Sequence, residues 1–560
     1  MPNRYEVTAS ALNFRSEPME RQDTVIAVLP RGQIVRKLEE VEQQPLWWKV
    51  STTLLERVLT GFVAHRFLSP IELSLASIVE DNQTLTMAEL KTRRSLVIEI
   101  QTKLRNLGFY PGGPWIDGLL GEQNSRTRQG LGQFCDALGL VNPTLDEAIN
   151  AAIAQALLQT QQVETVLEKA RDRATTRQML ADIQAASPGS VFPPYLDRTI
   201  KNSPFASEIQ SYPTYLARQL DEGNIVSYGR TFRLQGSDET VTFADYPAVG
   251  NLPAIDETAL DFIGNDIPHA CACVGSFVPG DDEIKTHWLG KASRSPVQFL
   301  SSTKFIGVLN TISQINALHP FCDIDQCDIG NSPNNRRFRF SELVTDMVSY
   351  EERIASSNQI GAMFKRFSTR SELEAWTRAI AGNPALSFRG YYGDDPFIER
   401  PMVFDTRSSG DRPILGAAPE VGFGPNSISA YDLVRFISML GWHLHVPQAA
   451  RLPAAQWISL ESVVRSMGFD PARYIDVALE TLGLVNVIDE PVVISKLGLG
   501  NSALTYVALV KLIDRRQDPF KLRTFALALW ANAGNDDTRD VNMAAAVTEI
   551  VRRIFTEELA

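Results

Sequence analysis

The sequence predicts a multidomain chain: a small all-β barrel, then a small helical module, then a larger α/β (α+β) domain of strands flanked by helices. Three observations predict it. The chain has 560 residues, 44% hydrophobic and 21% charged, with 35 Gly and 31 Pro, a globular composition at several times single-domain length. Its apolar pattern changes twice, from short strands to helical periodicity and then to strands alternating with helices. No segment sustains heptads, and apolar content is too high for a disordered chain.

Residues 1–71 read as short strands at Tyr5–Val7, Ala11–Arg15, Val25–Leu29, Ile34–Leu38, Trp47–Val50 and Gly61–Val63. Pro18, Pro30 with Gly32, and Pro45 break them. The order Leu12-Asn-Phe-Arg-Ser16, Val28-Leu-Pro-Arg-Gly32, Trp47-Trp-Lys-Val50 and Gly61-Phe-Val63 resembles bacterial SH3-like domains, a family that attaches enzymes to cell-wall material. One of Trp47 and Trp48 is expected in the barrel core and the other on its surface.

Residues 92–160 take up helical periodicity, with Leu96, Ile100, Leu104 and Leu107 on one stripe and Gly108 placed to end the helix. Leu107-Gly-Phe-Tyr-Pro111, Asp117-Gly-Leu-Leu-Gly121, Thr127 with Phe134, and Leu138-Gly-Leu140 resemble the three-helix peptidoglycan-binding module. Three extra residues between Gly121 and Thr127, and Cys135 where that family usually has Gln, depart from its pattern. Residues 161–194, a polar helical stretch followed by Ser187-Pro-Gly-Ser190 and Phe192-Pro-Pro194, read as a linker.

Chemistry is to be sought in residues 195–560. Ser301 and Lys304 lie three apart where a helix with apolar Phe305, Val308, Leu309, Ile312 and Ile315 begins, a spacing that puts hydroxyl and amine on one face. Ser302 points elsewhere. Ser356-Ser357-Asn358 follows, ahead of a helical run through Ile360, Met363 and Phe364. Lys496-Leu497-Gly498 then lies inside Val492–Leu499, which alternates poorly and reads as a strand buried on both faces. Two further strands at Leu504–Ile513 and Phe525–Trp530 and an amphipathic helix at Ala544–Phe555 complete the order.

In that order the three motifs resemble Ser-x-x-Lys, Ser-x-Asn and Lys-Thr-Gly of serine β-lactamases and penicillin-binding proteins. The resemblance implies a β-lactamase/transpeptidase-like domain, an antiparallel sheet flanked by helices with the nucleophile on a buried helix beside the sheet edge. It implies that Ser301 attacks a carbonyl with Lys304 as base, that Ser356 relays a proton to the leaving amine, and that Asn358 holds the substrate amide. Lys496 would orient a carboxylate, and Gly498 and Leu499 would border the substrate, the N–H groups of Ser301 and Leu499 forming the oxyanion hole. Leu497 stands where the family has Thr or Ser, so recognition of a carboxylate terminus is weakened. No Glu-x-x-Leu-Asn pattern lies between Asn358 and Ser429, and Glu399 and Glu420 have unmatched surroundings, so efficient β-lactam hydrolysis is not expected.

The expected function is a cell-wall-targeted serine hydrolase acting through an acyl-enzyme on a peptidoglycan-type peptide or amide. The alternatives are a non-catalytic wall-binding protein on a degenerate scaffold, or an esterase or amidase on a non-wall substrate. The expected partners are peptidoglycan or wall fragments. A net charge of −12 disfavours nucleic acid, and no apolar run reaches membrane-spanning length. The modules suggest the envelope or secretion, whereas Met1 opens no secretory signal, leaving delivery by an injection apparatus or a cytoplasmic role open. No cofactor or metal is expected. His269, Cys271 and Cys273 read as one strand, His443 and His445 as structural, and the acidic loop between Cys322 and Cys327 lacks the Gly and closing Glu of a calcium loop. Those two cysteines are the only pair that a short loop could join. Asp394-Asp395-Pro396 and Gly410-Asp411-Arg412-Pro413 read as turns bordering the site.

Overall fold

The computed structural model describes residues 4–143, 147–186, 192–218, 224–332, 336–407, 412–419 and 424–560. Glu420, Gly410, Asp411 and the Ser187–Ser190 stretch lie outside them. The chain divides into two compact units, Met1–Val163 and Glu164–Ala560.

In the first unit, strands β1 (Arg4–Val7), β2 (Ala11–Arg15), β3 (Val25–Pro30), β4 (Ile34–Glu40), β5 (Trp47–Leu54), β6 (Arg57–Ala64) and β7 (Leu68–Pro70) form one sheet ordered β3-β2-β6-β5-β4-β1-β7. Alternate residues face inward, and Val7, Phe14, Leu29, Val35, Val50 and Val63 are fully buried there. Trp47 and Trp48 point to opposite faces. Trp48, on the side of Val50, stacks on His65 at 4.9 Å between centroids and lies edge-on to Tyr5, with the Lys37 ammonium 4.0 Å from its ring. Trp47 is buried on the other face, 5.8 Å from the Arg15 guanidinium. Trp48, half-buried, keeps the more open ring.

Among the described residues the helices α1 (Leu75–Glu80), α2 (Met87–Lys91), α3 (Arg94–Asn106), α4 (Arg126–Ala137) and α5 (Ala151–Gln159) follow. The two short leading helices, each started by a capping box at Ser74 or Thr86, lie ahead of residues 92–160. Buried Gln101 organises the turn after α3. Its Nε2 donates to Tyr110 Oη, Asp117 Oδ1 and Thr127 Oγ1, and its Oε1 accepts the Gly118 N–H at 2.9 Å. The Asp117-Gly118 turn and Thr127 are therefore tied to one amide.

In the second unit, α6 (Arg173–Ala186) belongs to the segment read as a linker, yet it is docked. Leu180 and neighbouring Leu167 and Ala170 are buried in the same core as the C-terminal helix. Burying these apolar positions outweighs the polar composition of the stretch. Strands β8 (His269–Ser276), β9 (Lys285–Lys291), β10 (Ile488–Gly500), β11 (Ala503–Asp514) and β12 (Phe520–Ala531) form the antiparallel body, ordered β9-β8-β12-β11-β10, of a sheet that three short strands extend. Helices α7 (Lys304–Leu318), α8 (Phe340–Ser349), α9 (Ser357–Phe364), α10 (Ala430–Gly441), α11 (Trp457–Met467), α12 (Tyr474–Thr481) and α13 (Asp536–Phe555) cover it.

Each sheet face owns a core. Cys271, Cys273, Ile494, Val507 and Leu509 pack with α7, α8, α10 and α11, while Ala272, Val493, Tyr506, Ala508 and Val510 pack with α12 and α13. Burial on both faces explains why these strands do not alternate polar with apolar. Every residue of α10 is buried, as a helix between a sheet and other helices must be. No described helix is long and apolar enough to cross a membrane.

Arg473 and Asp476 are fully buried and paired in a fork, at 2.7 Å from Nε and 3.0 Å from Nη2, with Gly468 O accepting a third bond. Opposite charges hold each other only while both are present. Asp476→Ala is expected to cost about 3–5 kcal/mol, read as a lower urea midpoint for the second unit, because it leaves a guanidinium uncompensated.

Candidate active site

Ser301 and Lys304 sit where a single turn, Leu300–Thr303, feeds α7. Leu300 adopts φ +51°, a left-handed conformation that costs a branched residue about 1 kcal/mol, so the chain enters the helix sharply at the residue before Ser301. Ser301 is part-exposed, whereas Ser302 is buried with its hydroxyl bonded to Thr505 Oγ1 at 2.8 Å. The Ser301 side chain instead hydrogen-bonds with Tyr350.

Lys304 is 1% exposed, and both described donations of its amine go to α9: Ser357 Oγ at 2.8 Å and Asn358 Oδ1 at 2.8 Å. Burial, reinforced by the nearby Lys496 ammonium, pushes its pKa well below that of a solvated lysine. Lys496, also buried, points from β10 over the Tyr350 ring at 3.7 Å and donates to Leu497 O at 3.2 Å. Burial lowers its pKa too, partly offset by buried Asp470, whose Oδ2 accepts from Ser495 Oγ.

The hydroxyl in contact with Lys304 is thus Ser357, not Ser356. Ser356 is the N-cap of α9: its Oγ accepts from Gln359 N at 3.2 Å and donates to Asp394 Oδ2 at 3.0 Å. The helix start fixes this, since an N-cap side chain folds back over its own first turn while the next residue points inward. Asp394, read as a turn residue, is half-buried and adds negative potential at Lys304.

Gly498 lies against Ser301. A Cβ built on it would stand 2.9 Å from Ser301 N and 2.9 Å from Phe299 O. Leu499 follows on the same edge strand. Leu497 turns its side chain into the core on the α13 face, 6% exposed, with no hydroxyl to offer.

Two tyrosines were not singled out in the sequence. Tyr350, left-handed at the end of α8 (φ +58°), donates to Leu497 O at 2.7 Å and hydrogen-bonds with Ser301; burial pushes its hydroxyl pKa up. Tyr392 pairs with Thr303 Oγ1 at 3.1 Å and lies 5.2 Å from the Lys304 ammonium and 5.1 Å from that of Lys365. The sole signal for Tyr350 is its place after a helical run, which many tyrosines share.

His269 Nδ1 donates to Ala292 O at 3.3 Å, and His443 and His445 are buried with pKa values pushed down to about 4 by desolvation. Among the described residues no group of three or more His, Cys, Asp or Glu is placed to hold a metal.

The sequence matches no protein-family model, and no curated protein matches it. Among solved structures the chain is similar to a β-lactamase from Chitinophaga pinensis (12% identity, 53% of this chain and 96% of that one, TM-score 0.33). It is similar also to the chromosome-encoded β-lactamase of Vibrio parahaemolyticus (10%, 53% and 97%, 0.32). A third is a β-lactamase from Xanthomonas campestris (13%, 53% and 96%, 0.31).

Proposed function

We propose that the second unit is a serine acyl-transfer enzyme of the β-lactamase and penicillin-binding type, acting on a peptide or amide of the cell wall. One observation carries this reading: the buried Lys304 amine, three residues from part-exposed Ser301, is held by Asn358 and Ser357 beside a second buried cation. Such surroundings favour the neutral amine, which is what a base needs.

In this reading Ser301 Oγ attacks the substrate carbonyl carbon and its proton passes to Lys304. The developing oxyanion is received by the N–H groups of Ser301 and Leu499, which Gly498 allows to lie close together. The C–N bond breaks, and the protonated Lys304 amine returns the proton to the leaving amine, the relay role of Ser356 being lost because its hydroxyl is turned to Asp394. Asn358, with its oxygen on Lys304, presents its NH2 group to the substrate amide. Lys496 supplies positive potential for a carboxylate, with Leu497 weakening that recognition. Water then resolves the ester. The two modules of the first unit would carry the chain to peptidoglycan in the envelope or outside it.

A fluorophosphonate or penicillin probe is expected to add covalently to the full chain at Ser301, seen by intact mass and peptide mapping, and Ser301→Ala to abolish the adduct. No adduct from either probe removes the reading. The Tyr350 hydroxyl seated on Leu497 O, beside Ser301, favours a second reading, a closed scaffold in which wall binding is the whole activity. That reading requires pull-down on purified sacculi with no adduct and no effect of Ser301→Ala.

A further inference from the structure

The chain holds five free cysteines, all buried, and two of them face each other. Cys322 and Cys327 bring their sulfurs to 3.3 Å. A disulfide needs about 2.05 Å, so closing the gap takes roughly 1.2 Å of sulfur movement, within reach of side-chain rotation.

The backbone on both sides is already fixed. Asp323-Ile-Asp-Gln326 forms a tight turn, capped by Asp323 Oδ1 on Asp325 N at 3.0 Å and anchored by fully buried Ile324. Cys322 O accepts from Asn316 Nδ2 of α7 at 3.2 Å and from Ser459 Oγ of α11 at 3.0 Å. Cys327 opens a strand, Cys327–Gly330, that pairs with Met402–Asp405. The backbones of the two cysteines are thus held at the two ends of one turn. No third ligand makes the pair a metal group among the described residues.

We propose that Cys322 and Cys327 are a disulfide site, filled by exchange with a disulfide donor such as glutathione disulfide or an oxidoreductase disulfide. The Cys322 thiolate attacks one donor sulfur and expels the other as a thiolate, giving a mixed disulfide. The Cys327 thiolate then attacks the Cys322 sulfur and expels the second donor thiol. Two cysteine thiols lose two protons and two electrons, and one donor disulfide becomes two thiols. The order of attack follows from access: Cys322 adjoins an exposed turn, whereas Cys327 is fully buried. Entry is from the adjoining turn, where Phe321 is 95% exposed. The bond would tie the end of the helix that begins at Lys304 to the small sheet beside it.

The test uses the full chain, fully reduced, then held with glutathione disulfide with and without sub-denaturing urea to speed local opening. Free thiols are alkylated after denaturation and the chain is mapped without reductant. Alkylated cysteines are expected to fall from five to three, with Cys322 and Cys327 joined and Cys135, Cys271 and Cys273 modified. Cys327→Ser is expected to hold glutathione on Cys322 as a stable mixed disulfide, because nothing displaces it. Five alkylated cysteines in both arms, or a bond joining any other pair, overturns the proposal. The outcome is independent of whether Ser301 is acylated.

Discussion

Lys304→Met slows acylation of Ser301 by a fluorophosphonate probe about 10²–10⁴-fold, the range expected for losing a positioned general base. Methionine keeps the unbranched stem and removes the amine, so the apolar packing survives while the bonds to Ser357 Oγ and Asn358 Oδ1 are lost. Stability distinguishes this from collapse of the site. The folded pKa of Lys304 lies below its unfolded value, so the folded chain binds fewer protons, and the stability linked to this group is complete above about pH 10.5 and lost as pH falls through the folded pKa. The variant is freed from that loss. It is expected to be slower in acylation and no less stable than the parent at acid pH, checked by denaturant midpoints across pH. The wild-type acylation rate should climb with pH through the depressed Lys304 pKa and level off. Lys496 is one cause of that depression, so Lys496→Met should move the climb to higher pH. An unmoved profile would mean that the titrating group is not Lys304.

Much of this site was legible because its chemistry-bearing residues are local in sequence. Ser301 and Lys304 share a turn, Ser356 to Asn358 start a helix, and Lys496 to Leu499 lie on one strand, so each group can be read from its own segment. The strands and the C-terminal helix were legible from apolar content, with bounds extended by one to several residues. What stayed hidden depends on contacts between distant segments. Whether Ser356 or Ser357 meets Lys304 turns on how α9 is rotated against α7, and the N-cap geometry turns Ser356 out to Asp394, 38 positions away. Lys365 is the same case. It is a buried amine on α9's continuation that donates to Gly390 O and Asn426 Oδ1, holding the segment that carries Tyr392 and Asp394, and its sequence neighbours give no sign of burial. The docked helix Arg173–Ala186 was hidden for a third reason: a thin apolar stripe looks like a linker until its partner surface exists.

Gly498→Ala is expected to be the most damaging change of a single methyl group in the site. A Cβ there would lie 2.3 Å from Thr505 Oγ1, 2.9 Å from Phe299 O and 2.9 Å from Ser301 N. The first contact is with a side chain that already bonds Phe299 O and Ser302 Oγ, and the other two are backbone, so no rotamer relieves them. The strand must move away from the turn that carries Ser301. Overpacking of this kind costs about 1–3 kcal/mol, and displacing the strand edge by about 1 Å is enough to lose roughly 10²-fold in acylation rate. Thr505→Ala in the same chain removes only the first clash and should not restore the rate. Gly500→Ala is the matched control: two residues along the same strand, its Cβ would have the Leu300 side chain as its nearest neighbour, at 3.0 Å from both Cδ atoms, and a leucine end can shift. Probe kinetics and urea midpoints on the three variants separate the outcomes. If Gly498→Ala reacts at the parental rate, the edge of β10 is not part of the acyl-transfer site, and the N–H of Leu499 cannot be the second donor to the oxyanion.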